Sequence, residues 1–226
     1  MSRGTAVVTG ASRGIGRAIA GRLADGWEVV AVARSGRELD SLRSEIEAAG
    51  GDCSTIELDV TDQTAVQHAL EGIDADVLVN NAGIGIMKPL LELTVEEWRA
   101  MVAVNMDALF YVTRALLPGM VERGKGHVIN IGSLSGRGAF VGGTCYSATK
   151  HALVGFSESL MMEVRESGVR VSLVMPGSVD TSFSSSKGDS SWKLRASDVA
   201  DAVLFTLEQP DNALVSRVEV RPLRKS

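Results

Sequence analysis

Tyr146 and Lys150 stand four residues apart in a segment of helical character, which projects a phenol and an ammonium from one helix face into one space. A free tyrosine ionises near pH ~10, too high for efficient proton transfer around neutrality, and a fixed cation beside it favours the phenolate. The pair reads as a general acid with its tuning group. Ser133 follows an apolar run at 127–131, where a hydroxyl at the carboxyl end of a strand can donate to an oxygen that gains charge. Ser135 is the rival hydroxyl, one step too far along the same loop. Asn105 interrupts a long helical segment, and asparagine is a mediocre helix-interior residue, so its place there wants a reason.

A second set of residues binds rather than reacts. Thr9-Gly10-Ala11-Ser12-Arg13-Gly14-Ile15-Gly16 joins a short apolar run to a helical one. Glycines there let the backbone approach a pyrophosphate, and the helix that follows offers free N–H groups and the positive end of its dipole. The spacing is G-x-x-x-G-x-G, unlike the G-x-G-x-x-G of other dinucleotide folds.

These residues need a frame to hold them. Strand-like runs at 5–8, 27–33, 54–58, 76–79, 127–131, 170–174 and 214–220 alternate with helical patterns at 13–23, 38–49, 61–70, 94–121, 147–166 and 197–207. Leu39, Leu42 and Ile46 recur at helical spacing, Thr61 or Asp62 caps the third helix, and Thr94-x-x-Glu97 is a capping box. Alternation of this kind predicts an α/β fold with a parallel sheet covered on both faces. No linker or internal repeat interrupts it, so 1–226 reads as a single domain. The only loop-like shift in composition is the Ser- and Gly-rich stretch at 181–191.

Of the 226 residues, 45% are hydrophobic, enough for a sizeable core, and the net charge of −5 argues against nucleic acid or an anionic membrane as partner. The basic stretch at 221–225 reads as a solvated tail. The first residues lack a secretory pattern, and no apolar run of spanning length is apparent. Two distant cysteines, Cys53 and Cys145, fit a reduced cytoplasmic setting, with Cys145 in a packing role. His68, His127 and His151 are too dispersed for a metal site, and no nucleophile elbow supports a serine hydrolase. Met101, Met106, Met161 and Met162 read as core or subunit interface.

The glycine turn, Asn80-Asn81-Ala82-Gly83, the Ser133/Tyr146/Lys150 set and Pro176-Gly177 with Thr181, in that order over nearly the whole chain, resemble the short-chain dehydrogenase/reductase family in its compact single-domain form. The resemblance implies a Rossmann-like doubly wound three-layer sandwich with a seven-stranded parallel sheet. It also implies an NADP(H)-dependent oxidoreductase that reduces a ketone or 3-oxoacyl carbonyl, or runs the reverse. Ser133 and Tyr146 would hold the carbonyl, Tyr146 would protonate it, and Lys150 would tune Tyr146 and hold the nicotinamide ribose. Asn105 would distort its helix and hold a water that links Lys150 to solvent.

For the cofactor, the resemblance assigns Gly10, Ser12, Arg13, Gly14, Ile15 and Gly16 to the phosphates. Asp59 and Val60 go to the adenine, although Asp59 also reads as a helix-start residue. Asn81, Ala82 and Gly83 line the crevice, and Pro176, Gly177, Val179 and Thr181 meet the nicotinamide. The second strand ends Ala33-Arg34-Ser35 with no carboxylate to hold a ribose 2′-hydroxyl; Arg13, Arg34 and Ser35 suit a 2′-phosphate, hence NADP(H). Residues 85–87, 134–141 and Phe183 are expected substrate walls, with a short lid at 181–197. The middle of the chain resembles 3-oxoacyl-carrier-protein reductases, and the ending resembles reductases acting on 3-hydroxy acids or small ketones. A homodimer or homotetramer is implied, built on the helices at 94–121 and 147–166. The rival reading from another class is a noncatalytic NADP(H)-binding sensor or scaffold, and a sugar-nucleotide epimerase is opposed by the glycine spacing.

Overall fold

Val-rich Glu28–Ala33 and the fully buried Gly126–Ile131 show no exposed polar face, because both sides of the sheet they enter are covered. The computed structural model describes residues 3–181, 183 and 189–224. The strands are β1 (Thr5–Thr9), β2 (Glu28–Ala33), β3 (Cys53–Glu57), β4 (Ala75–Asn80), β5 (Gly126–Ile131), β6 (Val169–Pro176) and β7 (Arg217–Val220). They form one parallel sheet in the order β3-β2-β1-β4-β5-β6-β7. The chain winds outward from β1 to β3, returns beside β1 as β4, and winds outward the other way. The reversal opens a crevice at the carboxyl ends of β1 and β4, where open α/β sheets bind ligands.

The helices are α1 (Gly14–Leu23), α2 (Gly36–Ala48), α3 (Gln63–Leu70), α4 (Val95–Val102), α5 (Ala108–Glu122), α6 (Thr144–Val164) and α7 (Ala196–Leu207). Ile19, Leu23, Leu42 and Val203 bring α1, α2 and α7 into the core on one face of the sheet. Val66, Val112, Leu116 and Leu160 bring α3, α5 and α6 into the core on the other. Asn80 and Asn130 are register partners on β4 and β5. Asn80 Nδ2 donates to Thr113 Oγ1 (3.0 Å) and to Asn130 Oδ1 (2.9 Å), and Asn130 Nδ2 donates to Ser157 Oγ (2.8 Å), tying α5 and α6 to the sheet through buried polar groups.

Three local expectations change. The single helix expected at 94–121 contains a wide π turn at Ala103–Asp107 around Asn105, where Ala108 N–H reaches back to Ala103 O. The whole helical run, Val95–Glu122, is 28 residues long and holds an 18-residue window of mean hydropathy 1.4, so by length and composition it could cross a membrane, contrary to the expectation of no such run. Here Met101, Val112, Leu116 and Met120 bury its inner face in the protein core. Helix α6 begins at Thr144 instead of 147, after Gly142 turns the chain at φ +79°, which sets Tyr146 in the first helical turn. Of the expected lid at 181–197, residues 182 and 184–188 lie outside the described residues, as do residues 1, 2, 225 and 226 of the terminal segments.

Candidate active site

A cleft of about 1520 Å³ runs along the carboxyl edge of the sheet from Arg34 to Arg221. Its nucleotide end is built on the glycine turn. Gly10 and Gly14 hold φ of +66° and +56°, which a side chain would strain. A Cβ on Gly16 would overlap the Gly10 carbonyl oxygen and Asn81 Nδ2, so the turn closes only with glycine there. Arg13, at the start of α1, makes no side-chain cap, and the first turn of α1 holds no acid. Its N–H groups therefore keep their capacity for an anion. Thr9 joins the two strands at the switch point: its hydroxyl accepts from Asn81 N (3.0 Å) and Ala82 N (3.1 Å) and donates to Val79 O (3.3 Å). Asn81 Nδ2 returns a bond to Thr9 O (2.9 Å).

Arg13, Arg34 and Ser35 line this end, and so does Glu38, an acid the sequence reading did not place there. Arg17 braces the region by donating to the carbonyls of Ser12 (3.4 Å) and Glu38 (3.2 Å) and pairing with Glu45 (2.6 Å). Asp59 accepts from Thr61 N (2.9 Å) and Thr61 Oγ1 (2.7 Å). Those bonds, with a smaller attraction from Arg34, hold its carboxyl below the usual range. Both readings of Asp59 thus meet in one residue, which lines the cleft and also shapes the turn before α3.

At the reacting end, Ser133, Tyr146 and Lys150 face the same space. The Ser133 hydroxyl lines the cleft with the Tyr146 phenol and accepts from Ser135 N (3.1 Å). Lys150 Nζ donates to Ile131 O (3.1 Å) and lies 5.9 Å from the centre of the Tyr146 ring. Burial brings the Lys150 ammonium down to about 8. The expectation that Lys150 lowers the Tyr146 pKa is corrected: burial raises it, and the neighbouring Ser133 hydroxyl is what opposes the rise.

Asn105 acts as a splint. Oδ1 accepts from Ile84 N (2.9 Å), and Nδ2 donates to Ile84 O (2.9 Å) and Thr149 Oγ1 (3.0 Å). Thr149 in turn donates to Tyr146 O (2.8 Å). Both amide protons are used, while Oδ1 keeps one lone pair with which the side chain can accept a further bond from a water. Phe183 stacks obliquely on Tyr146 at 5.9 Å, and Met87, Leu134 and Phe140 complete an apolar wall.

The family model for short chain dehydrogenases matches residues 4–192. This chain belongs to the short chain dehydrogenase family. The family joins it to oxidoreductases acting on CH–OH groups. Among similar proteins is the NADP-dependent 3-hydroxy acid dehydrogenase YdfG of Salmonella typhi, 37% identical over 97% of this chain and 95% of that protein. The Escherichia coli protein of the same name is 36% identical over the same shares. Two solved structures are also close. A metagenomic short-chain oxidoreductase in complex with NADP has TM-score 0.88 and 39% identity, with 99% of each chain covered. Serine dehydrogenase from Escherichia coli has TM-score 0.85 and 35% identity, with 96% of each chain covered.

Within this short chain dehydrogenase, the nucleotide residues expected from the sequence line the cleft, with Thr181 packed 3.4 Å from where a Cβ on Gly14 would lie. Gly16 and Asn105 are not on the cleft wall; they support it from behind. The sequence assigned no role to Arg17 or Thr149, quoted Thr9 only as part of the glycine turn, and included Arg137 only within the expected wall at 134–141; Arg221, expected in a solvated tail, instead lines the cleft and pairs with Glu219. Thr9 and Thr149 border Gly10 and Lys150 in sequence, and that adjacency was the available signal. Arg137 lies within the expected wall at 134–141, whereas Arg221 carried no signal because its place depends on how β7 ends.

Proposed function

We propose that this chain is an NADP(H)-dependent dehydrogenase that interconverts a small secondary alcohol, of the 3-hydroxy acid class, and the corresponding ketone. The observation that carries the reading is the convergence of Ser133, Tyr146 and a buried Lys150 on one cleft that begins at an uncapped glycine turn. The glycine cradle and uncapped α1 fit a pyrophosphate, Arg13, Arg34 and Ser35 fit a 2′-phosphate, and the named relatives and an NADP complex support the choice. When bound, the nicotinamide supplies or accepts the hydride.

The chain's own residues manage the oxygen and its proton. In the direction of reduction, Ser133 and Tyr146 donate to the carbonyl oxygen and stabilise its growing charge, and Tyr146 then delivers its proton. Lys150 stands at the floor of the cleft, where it can hold a ribose hydroxyl. Burial that raises the Tyr146 pKa keeps the proton on the phenol at neutral pH, which suits an acid. Retention of this set favours an enzyme over a noncatalytic nucleotide sensor. We further infer one functional unit over 1–226, small-molecule substrates, a cytoplasmic setting and a homo-oligomer; free Cys53 and Cys145 and exposed Trp98, Phe110 and Met162 on α4, α5 and α6 support the last two.

The test is NADPH oxidation against 3-oxo acids, their esters and simple ketones, in wild type and Tyr146→Phe. The variant should lose about two to four orders of magnitude in kcat with the NADPH Kd nearly unchanged. Near-normal turnover in Tyr146→Phe would overturn the mechanism.

A further inference from the structure

The far end of the cleft carries two guanidinium groups that the reaction scheme does not use. Arg137 follows the short 3₁₀ turn Leu134–Gly136, which starts at Ser133, and Arg221 follows β7. Both line the cleft. They lie on the side of β5, β6 and β7, away from Arg34 at the end of β2, and neither is among the residues assigned to the nucleotide.

Their bases are pinned to the catalytic floor. Gly136 packs so tightly on α6 that a Cβ there would lie 2.7 Å from the Lys150 carbonyl oxygen. Gly177 N donates to Val220 O (2.8 Å), and a Cβ on Gly177 would lie 2.9 Å from Pro222 Cδ, which fixes the start of the segment that carries Arg221.

Between the two guanidiniums sits Glu219. Its Oε1 pairs with Arg137 and its Oε2 with Arg221, the latter at 2.7 Å. The Glu219 side chain is 20% exposed, while Arg137 and Arg221 are 56% and 60% exposed. Ion pairs this exposed do little for stability, typically about 0–1 kcal/mol. They do, however, orient the groups. A guanidinium has five N–H donors, and Glu219 takes one from each arginine, leaving the rest for another acceptor. Two cations and one anion make a net positive rim on a chain whose net charge is −5. The facing wall, Leu134, Phe140 and Phe183, is apolar.

The geometry points to a carboxylate-binding subsite: Arg137 and Arg221, held by Glu219, receive the acid group of the substrate while its carbonyl or hydroxyl carbon meets Ser133 and Tyr146. This rests on the 3-hydroxy acid reading above and deepens it by naming the residues that tell an acid from a neutral analogue. Charge-assisted, forked contacts of arginine with carboxylate supply the discrimination.

The experiment is calorimetric titration of the NADP⁺-loaded protein with 3-hydroxybutyrate and with methyl 3-hydroxybutyrate, paired with kcat and KM for both. Wild type, Arg137→Gln, Arg221→Gln and the double variant are compared. The acid should bind wild type about tenfold or more tightly than the ester, and the double variant should lose that preference through KM while binding the ester as wild type does. Equal binding of acid and ester by wild type, no binding of the acid, or an acid preference that survives in the double variant would overturn the subsite. An arginine-dependent acid preference without turnover of either ligand would uphold the subsite and sink the proposed reaction instead. Retained ester binding and thermal stability in the variants guard against misfolding as the cause.

Discussion

Burial decides the protonation chemistry at the scale of single residues. Lys150 is almost fully enclosed, with one hydrogen bond to Ile131 O, and its pKa falls from 10.5 to about 8. Between those values the unfolded chain binds a proton that the folded chain has lost. Stability therefore rises as pH climbs from about 8 toward 10.5, and below 8 the whole penalty of a buried ammonium remains. That penalty is roughly 3 kcal/mol at ~1.4 kcal/mol per pH unit, against about 1 kcal/mol for the hydrogen bond. Lys150→Met should thus unfold at a higher temperature than wild type at pH 7, lose catalysis, and lose its stability advantage by pH 10.5. Thermal melts across that range check it, and a gap that widens with pH contradicts the account. The identities of Ser133, Tyr146 and Lys150 were legible from residue type and spacing. The direction of the Tyr146 shift was not, because sequence shows which groups are near in the chain and not how much water reaches them.

Caps and turn glycines mark where elements start and stop. The box at Thr94 and Glu97 forms as its spacing foretold, with Thr94 N donating to Glu97 Oε2 (3.0 Å) and Glu97 N to Thr94 Oγ1 (3.1 Å). Asp62 caps α3 by accepting from Ala65 N (3.0 Å), and Thr61 instead binds Asp59. The start of α6 was misplaced by three residues, because Thr144 and Cys145 are weak helix formers and the burial of Cys145 against Met101 and Tyr146 is not legible locally. Asn105 shows the same limit. Its resemblance to a helix-distorting residue was readable, but its partners Ile84 and Thr149 belong to other elements. Asn105→Ala removes three hydrogen bonds and leaves Ile84 N, Ile84 O and the Thr149 hydroxyl to find new partners. The variant should lose about 2–3 kcal/mol in urea unfolding and lower kcat more than it raises the NADPH Kd. Unchanged kcat would remove Asn105 from the catalytic support.

The molecule as a whole leaves apolar side chains on the outer faces of α4, α5 and α6. Trp98, Phe110 and Met162 are 40%, 45% and 66% exposed. Surfaces of this kind favour self-association, so sedimentation should report at least twice the chain mass, and Phe110→Lys with Met162→Lys should shift it toward the monomer. A wild-type chain that sediments as a monomer at micromolar concentration would contradict the oligomer. What the sequence determined by itself was the alternation of strand and helix, hence a parallel sheet, and the kinds of groups at its loops, because hydrophobic period, caps and glycine turns act between near neighbours. Tertiary structure alone decided the strand order, the burial that sets Tyr146 and Lys150, and the meeting of Arg137 with Glu219 across 82 positions of chain. Those depend on which segments cross in space, and desolvation and ion pairing act through space rather than along the backbone.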